Sequence, residues 1–506
     1  MKQILCLMMI LLLAAQFPAQ TTPSEPRPLV FTGVTVIDIL GGKLKPGTTV
    51  IVSGNRITSV GKKIKIPKDA QIVDGSGKFL IPGLSDMHAH TLTSTSYEWI
   101  FPMLIAHGIT GVREMGNNMP FEQISLIRRE IVEGKRLGPR LGSVTGRIFD
   151  GPGTTIPHVS TIVTTPDEAR QLVRIYKEQG ADFIKPYNLL SREVYLTIVD
   201  EAKRQKIPIA GHIAFSMTAA EVSDLGQISL EHVQIGIFIS CSRDEPELRR
   251  EWQELIRNGQ RGAGLTIMTK AVATYSEQNA QSLFALLRRN DTWVCPTSVV
   301  NRPVELIGDE SKLLSDSRMK YIPASTRQRW NEQFQQRPGL VNSPAERKAR
   351  SDLRLKIVGA MHRAGVRILA GADAPNPYIF PGFSLHEELE LLVEAGLTPL
   401  EALQTATINP AKFLGKENEI GTIEKGKLAD LVLLEANPLE DIRNTTRIAA
   451  VVANGKYLPK ADLQKLLSDV EAANLRNESN KKQSVLWDFT NRPNFEFLSD
   501  AADICD

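Results

Sequence analysis

His88 and His90 close a short apolar run that starts on a proline and a glycine, "PGLSDMHAH". In an extended strand residues i and i+2 point to the same side, so both imidazoles aim at one spot. The chain has 8 histidines in 506 residues, and an isolated His-x-His is more often incidental than functional. Three more residues change those odds, each at the end of another apolar run: His212 in "AGHI", His232 in "LEHV" and Asp373 in "AGAD". Polar surface of that kind, brought together without a cation, is costly to bury. Imidazole and carboxylate are ligands of zinc. The set is therefore expected to hold metal.

Lys185, in "GADFIKPY", extends the expectation. An ammonium beside divalent cations is repelled, and burial favours the neutral amine. A neutral lysine amine can take up carbon dioxide and become a carbamate, an anion able to bridge two metals. The alternative is a lysine that reaches solvent or pairs with a carboxylate. Arg147 and His158 flank the glycine-rich stretch "IFDGPGTTIP" and are candidates to hold a substrate carboxylate, with Tyr187 a further substrate-binding candidate. Four other residues are given no chemistry. Glu231 neighbours His232 and is expected on the other side of its strand, in packing. His386 opens "HEELE", which lacks the second histidine of a zincin helix, and His107 and His362 fall in helical stretches.

Such residues need a scaffold that gathers strand ends. Between about 83 and 415, eight short apolar runs alternate with amphipathic helix: "LSDMHAH", "GITGVREMG", "PRLGSVTGRI", "ADFIKPY", "IPIAGHI", "ISLEHV", "TWVCPTSVV" and "VRILAGADA". Eight β/α units predict an α/β fold, a (β/α)8 TIM barrel with its site at the C-terminal strand ends. One helix start is explicit, with Thr398 as N-cap, Pro399 in the first turn and Glu401 closing a capping box. Residues 27–82 and 416–460 are strand-rich, each too small to close a core, and predict one composite β-sandwich with the barrel inserted. Residues 243–290 and 302–360 are charged, helix-prone excursions, and rim and surface decoration stay equally open for both. Residues 461–506 begin as helix and end in "VLWDFTNRPNFEFL", aromatic enough to dock on the body.

Composition sets bounds. A 42% hydrophobic, 23% charged chain with formal net charge +3 is globular and has no basic patch for nucleic acid. Residues 1–20 read as an export signal: Lys2, an apolar run from Ile4 to Ala15, then small, polar and proline residues. The run is well short of the ~20 residues that span a bilayer, so no stable membrane anchor is expected. A secreted or periplasmic location is. Cleavage would leave Cys241, Cys295 and Cys505, too scattered for a disulfide framework.

"PGLSDMHAH", "FIK", "GHI", "EHV" and "LAGADA", with "GTIEKGKLADLVLL" and "VVANGK", resemble the amidohydrolase superfamily from about 29 to 458. "GITGVREMG" and "PGFSLHEELELLVEAGLTPLEALQTATINPAKFLG" resemble its prolidase-like and imidazolonepropionase-related branch, much of it secreted. The resemblance implies that His88, His90 and Asp373 hold a buried metal and that His212 and His232 hold an exposed one. Carboxylated Lys185 and a hydroxide would bridge two zinc ions. The sequence departs from the common pattern at Glu114, where many relatives have aspartate, and at "GAD", where many have "GTD". Neither change removes a ligand. The implied reaction is hydrolysis of amide C–N bonds, in Xaa-Pro-like dipeptides or N-acyl amino acids. A bridging hydroxide would attack, and Asp373 would shuttle the proton. Two readings stay open beside it: a single-metal cyclic-amide hydrolase or deaminase, with Lys185 a bystander, and a non-catalytic barrel binding protein. Organophosphates or lactones as substrates, and homo-oligomerisation, are also left open.

Overall fold

The computed structural model describes residues 27–260, 264–305, 310–335 and 343–490. The export signal of residues 1–20 and the end of the aromatic tail lie outside them. Within them the chain is a mixed α/β fold.

Parallel strands carry the centre. Leu84–Ala89 pairs with Ile109–Glu114, and that strand with Arg140–Val144. Asp182 N donates to Val144 O at 2.9 Å, bringing the 182–186 segment alongside. Ile184 bridges Ile209, and Ile209–Gly211, Gln227–Glu231 and Trp293–Cys295 run side by side. Val294 then bridges Ile368, and Ala374 bridges Ala89, so the pairing returns to its first strand. Segments 182–186 and 366–374, both expected as strands, are extended chain held by isolated bridges. In the first, Pro186 has no N–H to give a ladder.

Helices cover the outside, as their sequences require. Pro166–Gln179 starts on a Thr165/Glu168 capping box, and Pro399–Thr405 on the Thr398/Glu401 box read from the sequence. The 243–290 excursion forms helices Glu245–Arg257, Gly264–Ala273 and Glu277–Arg289. The 302–360 excursion contains Ser317–Tyr321, Ala324–Gln335 and most of Pro344–Arg363.

The flanking strands hydrogen-bond into one eight-stranded sheet. Its join is antiparallel: Phe79–Pro82 pairs with Leu431–Leu434 through Leu80↔Leu433 and Ile81↔Val432. Alternation explains why "LVLL" is apolar throughout. Leu80, Leu431 and Leu433 point into the sheet's own core with Phe31, Val50 and Val452. Ile81, Val432 and Leu434 point into the main core. Both faces are buried, so neither alternating position is free to be polar. From the last strand the chain runs into helix Lys460–Thr490, which packs on helix Tyr97–Ala106. Among the described residues no helix is long and apolar enough to cross a membrane, and Cys241 and Cys295 are free and buried.

Candidate metal centre

Strand ends deliver the six proposed ligands to one place. His88 Nε2 lies 3.4 Å and His90 Nε2 3.2 Å from Asp373 Oδ1, and His232 Nε2 lies 3.8 Å from Asp373 Oδ2. Lys185 Nζ is 3.3 Å from His88 Nε2. The His232 ring lies 4.6 Å from those of both His88 and His212. Backbone contacts fix the arrangement, with Asp373 N donating to His88 O at 2.6 Å and His90 N to Ala374 O at 2.8 Å. Asp86 ties the first and eighth segments together, its Oδ1 accepting from His88 N (3.1 Å) and Ala372 N (3.0 Å). Gly371 is needed at this seam: a Cβ there would lie 2.8 Å from His88 N and 2.6 Å from Cys295 Sγ.

Every histidine of the set is held by its other nitrogen. His88 Nδ1 donates to Glu231 Oε2 (2.8 Å) and His90 Nδ1 to the Gly116 carbonyl (2.7 Å). His212 Nδ1 meets Asn188 Oδ1 at 2.9 Å, and His232 Nδ1 meets Thr297 Oγ1 at 2.5 Å. Thr297 Oγ1 gives its own hydrogen to Pro296 O, so it accepts from the imidazole. With Nδ1 protonated, each Nε2 presents a lone pair. Burial, with the positive field of Lys185 and neighbouring histidines, keeps His88 and His212 well below their ordinary pKa, and burial holds His232 at about 4. Neutral imidazoles with a fixed tautomer are what a metal requires of its ligands.

Asp373 completes the set as an anion. Burial pushes its carboxyl up, but its neighbours His90, His232 and Lys185 outweigh that and hold it below the usual range. Lys185 is buried, and burial lowers its pKa to about 8. His88, His232 and Asp373 each offer a ligand atom within 4.8 Å of the others. The donor set fits a divalent cation: lone pairs and a carboxylate face inward, and Lys185 holds the reactive amine among them.

Glu231 corrects the sequence expectation. It is the last residue of its strand, fully buried, and points inward behind His88, where Arg113 Nη2 donates to both its oxygens at 2.8 Å and Ser229 Oγ gives it a third donor. His232 follows with φ +66°, which breaks the strand alternation and turns the imidazole to the mouth. Glu231, Gly116, Asn188 and Thr297 were missed as orienting partners. Their only sequence signal is adjacency to strand ends. The residues denied a role behave accordingly: buried His386 bonds to Thr445, partly buried His107 to the Met103 carbonyl, and His362 pairs with Glu401.

A cavity of about 820 Å³ opens over the set, lined also by His158 and Tyr187. The Tyr187 ring lies 4.1 Å from that of His212, and burial pushes its phenol pKa upward. Arg147 is not brought to this cavity. Its guanidinium donates to the carbonyls of Pro157 (2.7 Å), His158 (2.9 Å) and Ser160 (3.0 Å), bracing the loop that carries His158. Of the two excursions, 302–360 contributes to the lining through residues such as Thr326 and Trp330, and no described residue of 243–290 does.

Residues 300–458 match the model of the Amidohydrolase family. Asp373 lies inside that span and the other five proposed ligands outside it. The match covers under a third of the chain and is a likeness of that segment to the family. Among curated proteins, an ochratoxinase of Aspergillus niger is 40% identical over 108 residues, 21% of this chain and 22% of that protein's length. Among solved structures, a bottromycin amidohydrolase superposes with a TM-score of 0.68 at 24% identity, covering 89% of this chain and 91% of its own. A prolidase complexed with N-methylphosphonate-L-proline gives a TM-score of 0.61 at 20% identity, covering 85% and 99%. At these identities the structural likeness is one of fold.

Proposed function

We propose that this protein is a metal-dependent hydrolase of amide C–N bonds acting on Xaa-Pro-like dipeptides or N-acyl amino acids. One observation carries the reading: four histidines, each fixed through Nδ1, share one wall of a cavity with buried Asp373 and Lys185. Prolidase and amidohydrolase names among proteins of the same fold support it. The closed run of parallel pairings is read as a (β/α)8 barrel, with residues 27–82 and 416–460 folding as one β unit beside it.

In this reading His88, His90 and Asp373 would hold one zinc and His212 and His232 a second, with carboxylated Lys185 as a further anionic ligand. The metals supply Lewis acidity, making a water nucleophilic near neutral pH and polarising the scissile carbonyl. The chain supplies the rest. Asp373, ionised at neutral pH, accepts the proton of the attacking water and delivers it to the departing amine. Tyr187, kept protonated, donates a hydrogen bond toward the substrate. Burial of the ligand wall excludes competing water. Residues 1–20 direct the protein out of the cytoplasm and are removed.

The test is a screen of purified, zinc-loaded protein against dipeptide and N-acyl amino acid libraries, before and after chelation. Chelator-sensitive release of amine supports the reading. Turnover that survives complete metal removal, or none on any C–N substrate, contradicts it.

A further inference from the structure

Arg147 was the sequence's choice to receive a substrate carboxylate, and the structure has spent it on loop carbonyls. Another arginine stands where that role needs one. Arg329, on helix Ala324–Gln335, is the one arginine among the described residues lining the cavity above the metal ligands. Its Nη2 reaches Thr326 Oγ1 at 3.4 Å, and among the described residues no carboxylate lies within ion-pair distance of it. Asp469, on the same cavity, is already paired with Lys465 at 2.7 Å.

Arg329 is also placed with respect to the chemistry. The next residue, Trp330, is buried, and its Nε1 donates to Pro375 O at 3.2 Å, two residues beyond Asp373. Asn331 accepts from the Tyr378 hydroxyl at 2.6 Å. The helix is thus tied to the segment that carries Asp373, and Arg329 extends from it to line the cavity. Between them sits His158, whose pKa is lowered by burial and by the positive fields of Arg329, Arg147 and His90 together. A polar ligand with an anionic end would meet those charges at one end and the metal ligands at the other. The lining is mixed, with Trp99, Ile148, Ile156, Val300, Leu466 and Val470 as its apolar part and Glu98 among its polar residues.

We propose that Arg329 recognises a free carboxylate on the substrate, so that the protein selects molecules carrying an apolar side chain and an unblocked carboxyl group. Guanidinium is suited to this because its planar donors match carboxylate geometry. The proposal rests on the C–N hydrolase reading only for the bond that is cut. Recognition of the carboxylate is separable from it.

The experiment measures equilibrium binding of L-phenylalanine and L-phenylalaninol to the zinc-loaded full-length protein by calorimetry. The pair shares ring and amine and differs in the carboxylate. Neither contains an amide to hydrolyse. Wild type is expected to favour L-phenylalanine by about tenfold or more, the order of one charge-assisted pair. Arg329→Gln should lose that preference while binding L-phenylalaninol as before, and Arg329→Lys should keep part of it. A matched kinetic pair, N-acetyl-L-phenylalanine and its amide, should show the same contrast in KM with kcat little changed. An Arg329→Gln variant that keeps the preference, or weakens both ligands alike, overturns the proposal, as does wild type binding neither. If wild type cleaves no C–N bond yet shows an Arg329-dependent preference, the functional reading falls and the carboxylate site stands.

Discussion

On the wall that carries His88, His90, His212 and His232, each side chain is held twice, by its own strand end and by a partner at Nδ1. On the wall built from helices Ala324–Gln335 and Lys460–Thr490, the groups facing the cavity are looser. Arg329 is exposed with a single long hydrogen bond, and helix Lys460–Thr490 meets the neighbouring turn Ser317–Tyr321 through Lys320–Glu471 at 3.1 Å and Asn474 Nδ2 to Lys320 O at 3.3 Å. The first wall is inside the core and tolerates little change, because a lost partner there leaves a buried polar group unsatisfied. On the second, exposed groups such as Arg329 can change without opening the core, although Trp330 beside it is buried. Reaction type is written on the first, and substrate choice on the second.

Substitutions should fall in size along that gradient. Asp373→Asn stays isosteric but cannot take a proton, so turnover should drop by about a thousandfold or more while much of the metal remains. Elemental analysis beside steady-state kinetics checks the split, and near wild-type turnover would remove Asp373 from the role. Glu231→Gln keeps the shape behind His88 but halves the anchor of its tautomer and leaves buried Arg113 without its anion. Metal affinity should fall about 10–100-fold, the range for losing such a support. Competition with a chelator reads it, and unchanged affinity would make Glu231 a packing residue after all.

The smallest effect concerns a buried group that is not among the proposed ligands. Glu388 is buried with Oε2 accepting from Val299 N at 2.8 Å, and burial, together with the charge of Asp86, raises its pKa from 4.5 to about 7 despite the backbone donors. The folded state therefore keeps a proton that the unfolded chain releases. Wild type should lose stability relative to Glu388→Gln as pH rises from about 4.5 to about 7, then level off. Denaturation at several pH values measures this. A wild type that gains stability relative to the variant as pH rises would reverse the sign and contradict the burial argument.

Much of this was legible in the residues. Ligands sit at strand ends, and periodicity finds strand ends, so His88, His90, Lys185, His212, His232 and Asp373 could all be named and are found together. Glu231 was misjudged because alternation was carried one residue too far, past the point where His232 takes a left-handed backbone. Arg147 was misjudged for another reason: whether a guanidinium faces a ligand or three carbonyls of its own loop depends on a loop path that no periodicity encodes. The apolar run at 431–434 showed a strand, and only the pairing with 79–82 showed why both its faces are buried. The Trp330–Pro375 contact that places Arg329 joins residues with no sequence relation at all.

The central claim is that six side chains from five places in the chain hold two metals about Lys185. Its most direct test is a metal count on the native protein together with a crystal structure of the ligand wall. The account predicts two ions per chain with a carboxylated Lys185 between them, one ion lost in Lys185→Ala, and partial recovery of activity with formate. One ion, with an unmodified Lys185 amine turned away from it, would contradict the binuclear account and favour a single-metal enzyme.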